Sequence, residues 1–248
     1  QGHVFAIGAA IAAKFLAART GNPTFEKETI YAYISDGGIQ EEISQGGGRI
    51  AGHLGLDNLI MFYDANDIQL STETGEVMTE DTAMKSRSGG WHVIEINGND
   101  CQQIRQALDE AKAENQRPTL IIGKCIMGKG ARKADNTSYE HSCKTHGAPL
   151  GGDAYKNTIL NLGGDLENPF VIFDDVKEMY ARREEELNAT AKNRPGQKPT
   201  LKKPHNRLNG SAERLHASTG TPSNRRQATL PATHRPKYSA CLPNRCPT

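Results

Sequence analysis

Four short runs of apolar, β-branched and aromatic residues, alternating with stretches of helical periodicity, constrain this chain more than any other feature. The runs occupy 29–35 (TIYAYIS), 59–64 (LIMFYD), 91–96 (WHVIEI) and 119–125 (TLIIGKC). Each reads as a buried strand. A first helix is expected over 3–20, with Val4, Ile7, Ile11 and Phe15 in phase and Gly21 as its stop. A second carries Ile39, Ile43, Ile50 and Leu54 in phase. Gly46, Gly47 and Gly48 interrupt it, each costing about 1 kcal/mol against alanine in a helix interior. Asp100 is placed to cap a third over 101–115, with Ile104, Ala107, Leu108 and Ala111 inward and Pro118 ending it. Two more are expected near 153–162 and 174–190, the latter with Val176, Met179, Tyr180 and Leu187 inside. Ser86-Arg87-Ser88-Gly89 makes a poor helix before the third strand. Strands alternating with helices predict an α/β fold, a parallel sheet with helices on both faces. Ligands of such sheets sit beyond the carboxyl ends of the strands.

Charge divides the chain. Residues 193–248 hold eleven Lys and Arg against one Glu, and 1–192 hold 19 basic against 28 acidic residues. The tail has no Ile, Val, Phe, Met or Trp but eight of the twelve prolines. It cannot bury enough apolar surface to offset the entropy of ordering, so 1–192 is expected to be the domain. Residues 193–248 are read as a low-complexity basic tail, disordered or foreign to the domain. Tyr238 is the tail's only aromatic residue, so its basic residues lack a stacking platform for nucleic acid. No membrane span is expected, for want of roughly 18–20 uncharged apolar residues in a row. The five cysteines form no C-x-x-C pair and no even framework, which favours a reducing, cytoplasmic setting. Gln1 is not an initiator methionine, and a start inside a longer protein is expected.

The chemistry lies after the first two strands. Asp36 and Asn66 offer one anionic and one neutral oxygen, to which backbone carbonyls can add. Hard oxygen donors of this kind suit Mg²⁺, or Ca²⁺ in its place, with phosphate oxygens completing the coordination. Gly37 and Gly38 let a phosphate approach the backbone, and a helix starting near Ile39 would point its N–H groups at that anion. The plainer alternative is that both segments are ordinary turns after strands. A P-loop reading of 123–130 fails, because Gly130 stands where Ser or Thr should hold the metal. An EF-hand reading from Asp64 fails at Ile68 and Gln69.

With these residues in hand, the chain resembles the N-terminal diphosphate-binding region of the transketolases, within the thiamine-diphosphate-dependent enzymes. The family signature is Gly-Asp-Gly followed at a distance by Asn. Here Ser35-Asp36-Gly37 is followed by 28 residues and then Asn66. The stretches GHLGLDNLIMFYDANDIQLS (52–71), THGAPLG (145–151) and FVIFDDVKEMY (170–180) resemble the family too, as does Gln1-Gly2 the end of its Gly-Pro-Leu-Gly-Gln-Gly motif. The resemblance covers 1–192 and implies a parallel-sheet domain of the family's diphosphate-binding (PP) type, truncated at its N-terminus. Ser35 departs from the first motif glycine, while Asp36 and Gly37 remain.

Residue by residue, the resemblance implies that Asp36, the Asn66 side-chain oxygen and the Ile68 main-chain oxygen bind Mg²⁺, which clamps thiamine diphosphate, with Gly37 giving a backbone contact. It places His146 beside the reacting carbon, touching the diphosphate and the substrate hydroxyls. Glu41 matches a glutamate near the subunit interface. A solvated loop histidine and an exposed helical glutamate are the plain alternatives for these two. The implied reaction moves a two-carbon ketol unit between sugar phosphates, in a homodimer or with a separate pyrimidine-binding polypeptide. The chain alone is expected to bind cofactor weakly and turn over no sugar. The alternatives are a non-catalytic half of a split transketolase, a deoxyxylulose phosphate synthase, or a ketoacid dehydrogenase component.

Overall fold

The computed structural model describes residues 1–21, 25 and 28–193. The tail expected over 193–248 thus lies outside the described residues, apart from Asn193 at a helix end. Two compact units are present, Gln1–Phe173 and one beginning at Asp174.

In the first unit, α1 (Gly2–Thr20) precedes β1 (Ile30–Ser35), α2 (Asp36–Gln40) and α3 (Glu42–His53). Then follow β2 (Leu59–Ala65), α4 (Thr82–Ser88), β3 (His92–Asn97), α5 (Cys101–Ala113), β4 (Thr119–Lys124) and α6 (Gly152–Asn161). All strand pairs are parallel, in the order β1-β2-β4-β3. One face of the sheet, with Leu59, Met61, Tyr63 and Leu120, packs on Ile7 and Ala10 of α1, Ala51 of α3, and Trp91. The other face, with Ile60 and Ile121, packs on Ala107 and Ala111 of α5. The expected two-sided α/β sheet is therefore present. Each large aliphatic side chain buried this way contributes about 1.5–3 kcal/mol.

One expectation about burial is corrected, and packing decides the inward faces of two helices that periodicity had left open. β1 is an edge strand, not a buried one, and Tyr33 is 81% exposed. Alternation along an edge leaves every second side chain without a covering helix. In α1 the inward stripe is His3, Ile7, Ala10, Ala13 and Ala17, whereas Ile11 and Phe15 are exposed. The alanines win because small side chains let α1 lie close on β1. Phe15 instead carries the Arg19 guanidinium above its ring, 5.9 Å from the centroid. In α3 the inward residues are Ser44, Gly47 and Ala51, and Ile43, Ile50 and Leu54 face out. The helix runs through the glycine triplet, and two of its glycines, Gly47 within the triplet and Gly52 beyond it, lie where a side chain would collide. A Cβ on Gly47 would touch Ile7 Cδ1 at 3.0 Å, and one on Gly52 would overlap the Gly89 carbonyl oxygen.

Helix ends follow local chemistry. Gly21, at φ 63°, donates its N–H to the Ala17 carbonyl (2.8 Å) and ends α1 where the sequence placed the stop. Asp100 accepts from the Gln102 and Gln103 N–H groups, as expected of a cap. Asp81 caps α4 through the Met84 N–H, so a helix of seven residues forms before Gly89 despite the poor propensity of its second half.

By length and composition α1 is apolar enough to cross a membrane, although Lys14 and Arg19 keep it from being an uncharged run. In this fold its inner stripe belongs to the sheet core, as in the core helix of a globular domain. The second unit contains α7 (Asp174–Asn193). Met179, Tyr180 and Leu187, expected inside, are exposed on it.

Candidate functional site

Strand register brings the two loops together. Ser35 pairs with Asp64, and Asp64 with Gly123, so β1, β2 and β4 end level with one another. Asp36, after the end of β1, and Asn66, after the end of β2, then leave the sheet side by side. Asp36 is 1% exposed. The Tyr63 hydroxyl donates to its Oδ1 (2.7 Å), and the Asn66 backbone N–H donates to its Oδ2 (3.1 Å). The Asn66 side chain accepts from the Ile68 N–H through Oδ1 (3.1 Å) and donates through Nδ2 to Asp64 Oδ1 (3.3 Å). Asp67 holds φ 64°, a left-handed conformation that aspartate tolerates better than most residues. The turn closes when the Thr74 N–H bonds the Asp67 carbonyl (2.9 Å) and Ile68 bridges Glu73. The Ile68 carbonyl accepts no hydrogen bond from the described residues.

Electrostatics single out Asp36. Its carboxylate is buried with two neutral donors, and no Lys or Arg among the described residues pairs with it. A buried anion without a countercharge is costly, and a cation at this point compensates it. The available donors are one carboxylate, one amide oxygen and one free main-chain oxygen, a set that suits Mg²⁺ or Ca²⁺ and not a thiophilic metal. No cluster of three or more His, Cys, Asp or Glu suited to a metal occurs among the described residues, so a site here depends on neutral oxygens around a single acid. Burial first, then the Asp36 bond and nearby carboxylates, push the Tyr63 pKa up, so Tyr63 stays a donor. Burial, then Asp64, pushes the Cys125 thiol up to about 12, which makes it a poor nucleophile. Lys124 meets Asp67 at the rim (3.3 Å).

The glycines differ in role. A Cβ on Gly37 would meet nothing within 4 Å, leaving its backbone open to a ligand, whereas one on Gly38 would press on Ile34 Cγ1 at 2.9 Å. The helix expected to start near Ile39 starts at Asp36 and breaks after five residues, where Glu41 takes ψ 134°. Glu41 is exposed at that break, and its carbonyl accepts from the Ser44 and Gln45 N–H groups. His146 follows a single 3₁₀ turn, Cys143–Thr145, with its Nδ1 enclosed and unpartnered. Asp36, Asn66 and Ile68 thus form one cluster. Neither Glu41 nor His146 is hydrogen-bonded to it.

Tyr63 and Asp64 were missed in the sequence. Alternation along 59–65 puts Tyr63 on the buried face, and a buried tyrosine hydroxyl needs an acceptor. That signal was available. Two cavities among the described residues lie against the same face of the sheet. One of about 460 Å³ adjoins the cluster, lined by Tyr63, Asp67, Thr74, Ile122 and Lys124. A larger one of about 780 Å³ includes none of Asp36, Asn66, Ile68 or His146, and is lined by His3, Gly48, Met61, Lys85 and Trp91 among others.

His3 in that larger cavity is buried, its Nε2 has no partner, and burial lowers its pKa from the ordinary 6.5. The unfolded chain therefore binds a proton that the folded chain resists. Stability is undiminished above about pH 6.5 and declines as the pH drops toward the folded value. Melting temperature should fall as the pH drops below about 6.5, and His3→Leu should flatten that slope. An identical slope in the variant removes His3 as its source.

Comparison with known proteins agrees with this fold. The family model for the transketolase thiamine diphosphate binding domain matches residues 1–216. Transketolase 7 of Craterostigma plantagineum is 40% identical over 186 residues, covering 73% of this chain and 27% of its own length. The transketolase of Nostoc sp. is 39% identical over 193 residues, 76% of this chain and 28% of its own. Among solved structures, transketolase from Leishmania mexicana superposes with a TM-score of 0.69 at 33% identity, over 76% of this chain and 28% of that one. That from Campylobacter jejuni gives 0.67 at 32% identity, over 80% and 31%. The chain spans little more than a quarter of the length of the curated relatives it matches. On the sheet, the cluster at its carboxyl edge and these matches, the chain belongs to the transketolase family, in its thiamine diphosphate binding domain.

Proposed function

We propose that this chain is the diphosphate-binding part of a transketolase, in which Asp36, Asn66 Oδ1 and the Ile68 carbonyl hold Mg²⁺, with Ca²⁺ able to substitute, against the diphosphate of the cofactor. The observation that carries this is the buried Asp36 carboxylate, meeting the Asn66 loop with no cationic side chain beside it. The open backbone at Gly37 supports a phosphate lying there. Bound thiamine diphosphate supplies the carbanion chemistry by which a two-carbon ketol unit passes from a ketose phosphate to an aldose phosphate. The chain's own residues bind and orient. Asp36 and the Asn66 loop fix the metal, and Lys124, at the rim, offers positive charge to an anionic ligand. We assign His146 to the diphosphate and the substrate hydroxyls, where its imidazole can hold or move a proton. Its enclosed, unpartnered Nδ1 supports a role other than a solvated loop residue.

The same reading includes a partner, either a second copy of the chain or a separate pyrimidine-binding polypeptide. Ile43, Ile50 and Leu54 of α3 and Phe5 and Phe15 of α1 are exposed, which supports a covered interface there, with Glu41 beside it. A reducing, cytoplasmic setting goes with it, supported by the free thiols of Cys101, Cys125 and Cys143.

Calorimetric titration with thiamine diphosphate, with and without Mg²⁺, tests the proposal. Saturable binding is expected only with the divalent ion. Ketol transfer is expected only once a pyrimidine-binding partner is added. Equal binding in chelator sinks the metal clamp.

A further inference from the structure

We propose that Tyr63 and Asp64 are positioning residues of the cation site, Tyr63 setting the carboxylate of Asp36 and Asp64 setting which way the Asn66 amide faces. The inference rests on the functional reading above and deepens it.

The hydrogen bonds carry the argument. An asparagine amide can present oxygen or nitrogen to a cation, and only oxygen is a ligand. Asn66 is held at both ends of its amide. The Ile68 N–H requires an acceptor and so takes Oδ1, while the Asp64 carboxylate requires a donor and so takes Nδ2. Both demands select the same orientation. The Ile68 bond uses one lone pair of Oδ1 and leaves the other for a metal. Turning the amide over would set a carboxylate against an oxygen and an N–H against an NH₂ group, two repulsive contacts in place of two bonds.

Asp36 is held in the same manner. The Tyr63 hydroxyl takes Oδ1 and the Asn66 N–H takes Oδ2, so the carboxylate cannot rotate without breaking one of them. Tyr63 and Asp64 are successive residues of β2, on opposite faces of the pleat. One strand end thereby steers both side-chain ligands. The Cys125 thiol, directly after β4, lies beside the same Asp64 carboxylate. Outer hydrogen-bond partners of this kind govern metal affinity by roughly 10–100-fold.

The test compares Mg²⁺ with Ca²⁺. Mg²⁺ demands a near-ideal octahedron, whereas Ca²⁺ accepts varied geometry and six to eight ligands. A loosened ligand set should therefore penalise Mg²⁺ more. Simple loss of the Asp64 charge, or general destabilisation, would weaken both ions alike. Tyr63→Phe and Asp64→Asn are titrated with thiamine diphosphate and either ion, with melting of the metal-free protein as the folding control. Each variant is expected to lose roughly tenfold in Mg²⁺-dependent affinity and clearly less with Ca²⁺. Either variant suffices if the other does not fold. Unchanged binding, or equal losses with both ions, overturns the positioning role and leaves the cation site standing. Failure of the wild-type chain to bind cofactor with either ion removes the site and this inference together.

Discussion

Asp36→Ala is expected to abolish the divalent-dependent binding of thiamine diphosphate, a loss of more than the roughly 100-fold attached to losing an outer partner. Asp36 is the only charged group in the proposed ligand set. Without it, Asn66 and Ile68 offer two neutral oxygens, too weak to hold a dication against water. Stability should respond differently. The substitution leaves the Tyr63 hydroxyl and the Asn66 N–H without their acceptor, at about 1–3 kcal/mol each. It also removes a buried anion that no described Lys or Arg neutralises, which works in the opposite direction. The two effects oppose, so metal-free Asp36→Ala should melt close to the wild type. The gap should open only when Mg²⁺ and cofactor are added, because a ligand that binds only the folded state stabilises it by an amount that grows with the logarithm of its concentration over Kd. Calorimetry and melting, each with and without Mg²⁺, read both quantities. Mg²⁺-dependent affinity within tenfold of wild type in the variant would rule out the clamp.

The second large effect concerns packing and has opposite signs at two glycines of one helix. Gly46 and Gly52 both lie in α3, and propensity alone predicts that alanine at either gains about 1 kcal/mol. At Gly46 a Cβ would meet nothing within 4 Å, so the gain should be realised in full. At Gly52 the added methyl would overlap the backbone carbonyl of Gly89, in the turn between α4 and β3. Backbone cannot rotate away as a side chain can. Relief requires α3 to lift, which would strain the bond from the Trp91 indole N–H to the Gly48 carbonyl (2.8 Å). Overpacking of this kind costs about 3 kcal/mol. Set against the propensity gain, and at roughly 2–4 °C per kcal/mol for a chain of this size, Gly52→Ala should melt about 6 °C lower and Gly46→Ala about 3 °C higher. Denaturation curves of the two variants check the pair. A Gly52→Ala protein as stable as wild type would mean that α3 does not approach the turn so closely.

The same helix shows how far sequence reasoning reached. Periodicity located α3 and found its apolar residues, but it left open which face turns inward. Ile43, Ile50 and Leu54 are the hydrophobic stripe, yet the surface that must lie close to α1 and to Gly89 is the stripe without bulk. α1 repeats the lesson, with alanines inside and Phe15 outside. A hydrophobic pattern records which residues avoid water somewhere, including at a surface made for a partner. Close approach between backbones leaves only an absence of side chain as its trace. Tyr63 was legible in principle, from strand alternation and the need of a buried hydroxyl for an acceptor. Asp64 was not, because its role depends on which way the Asn66 amide faces.

By itself the sequence determined the four strands to within a residue or so at most ends, the Asp100 cap and the αL stop at Gly21. It also determined that Asp36 and Asn66 follow directly upon strands. These are local facts, set by side-chain period and turn chemistry over a few residues. Tertiary structure alone decided the order β1-β2-β4-β3, the edge position of β1, and the inward faces of α1 and α3. It alone decided that Asp36 and Asn66, thirty positions apart, come within hydrogen-bond distance. The reason is register. Parallel strands joined by helices can slide in steps of one residue, and only packing of both sheet faces selects the alignment of Ser35 with Asp64 that sets the two loops side by side.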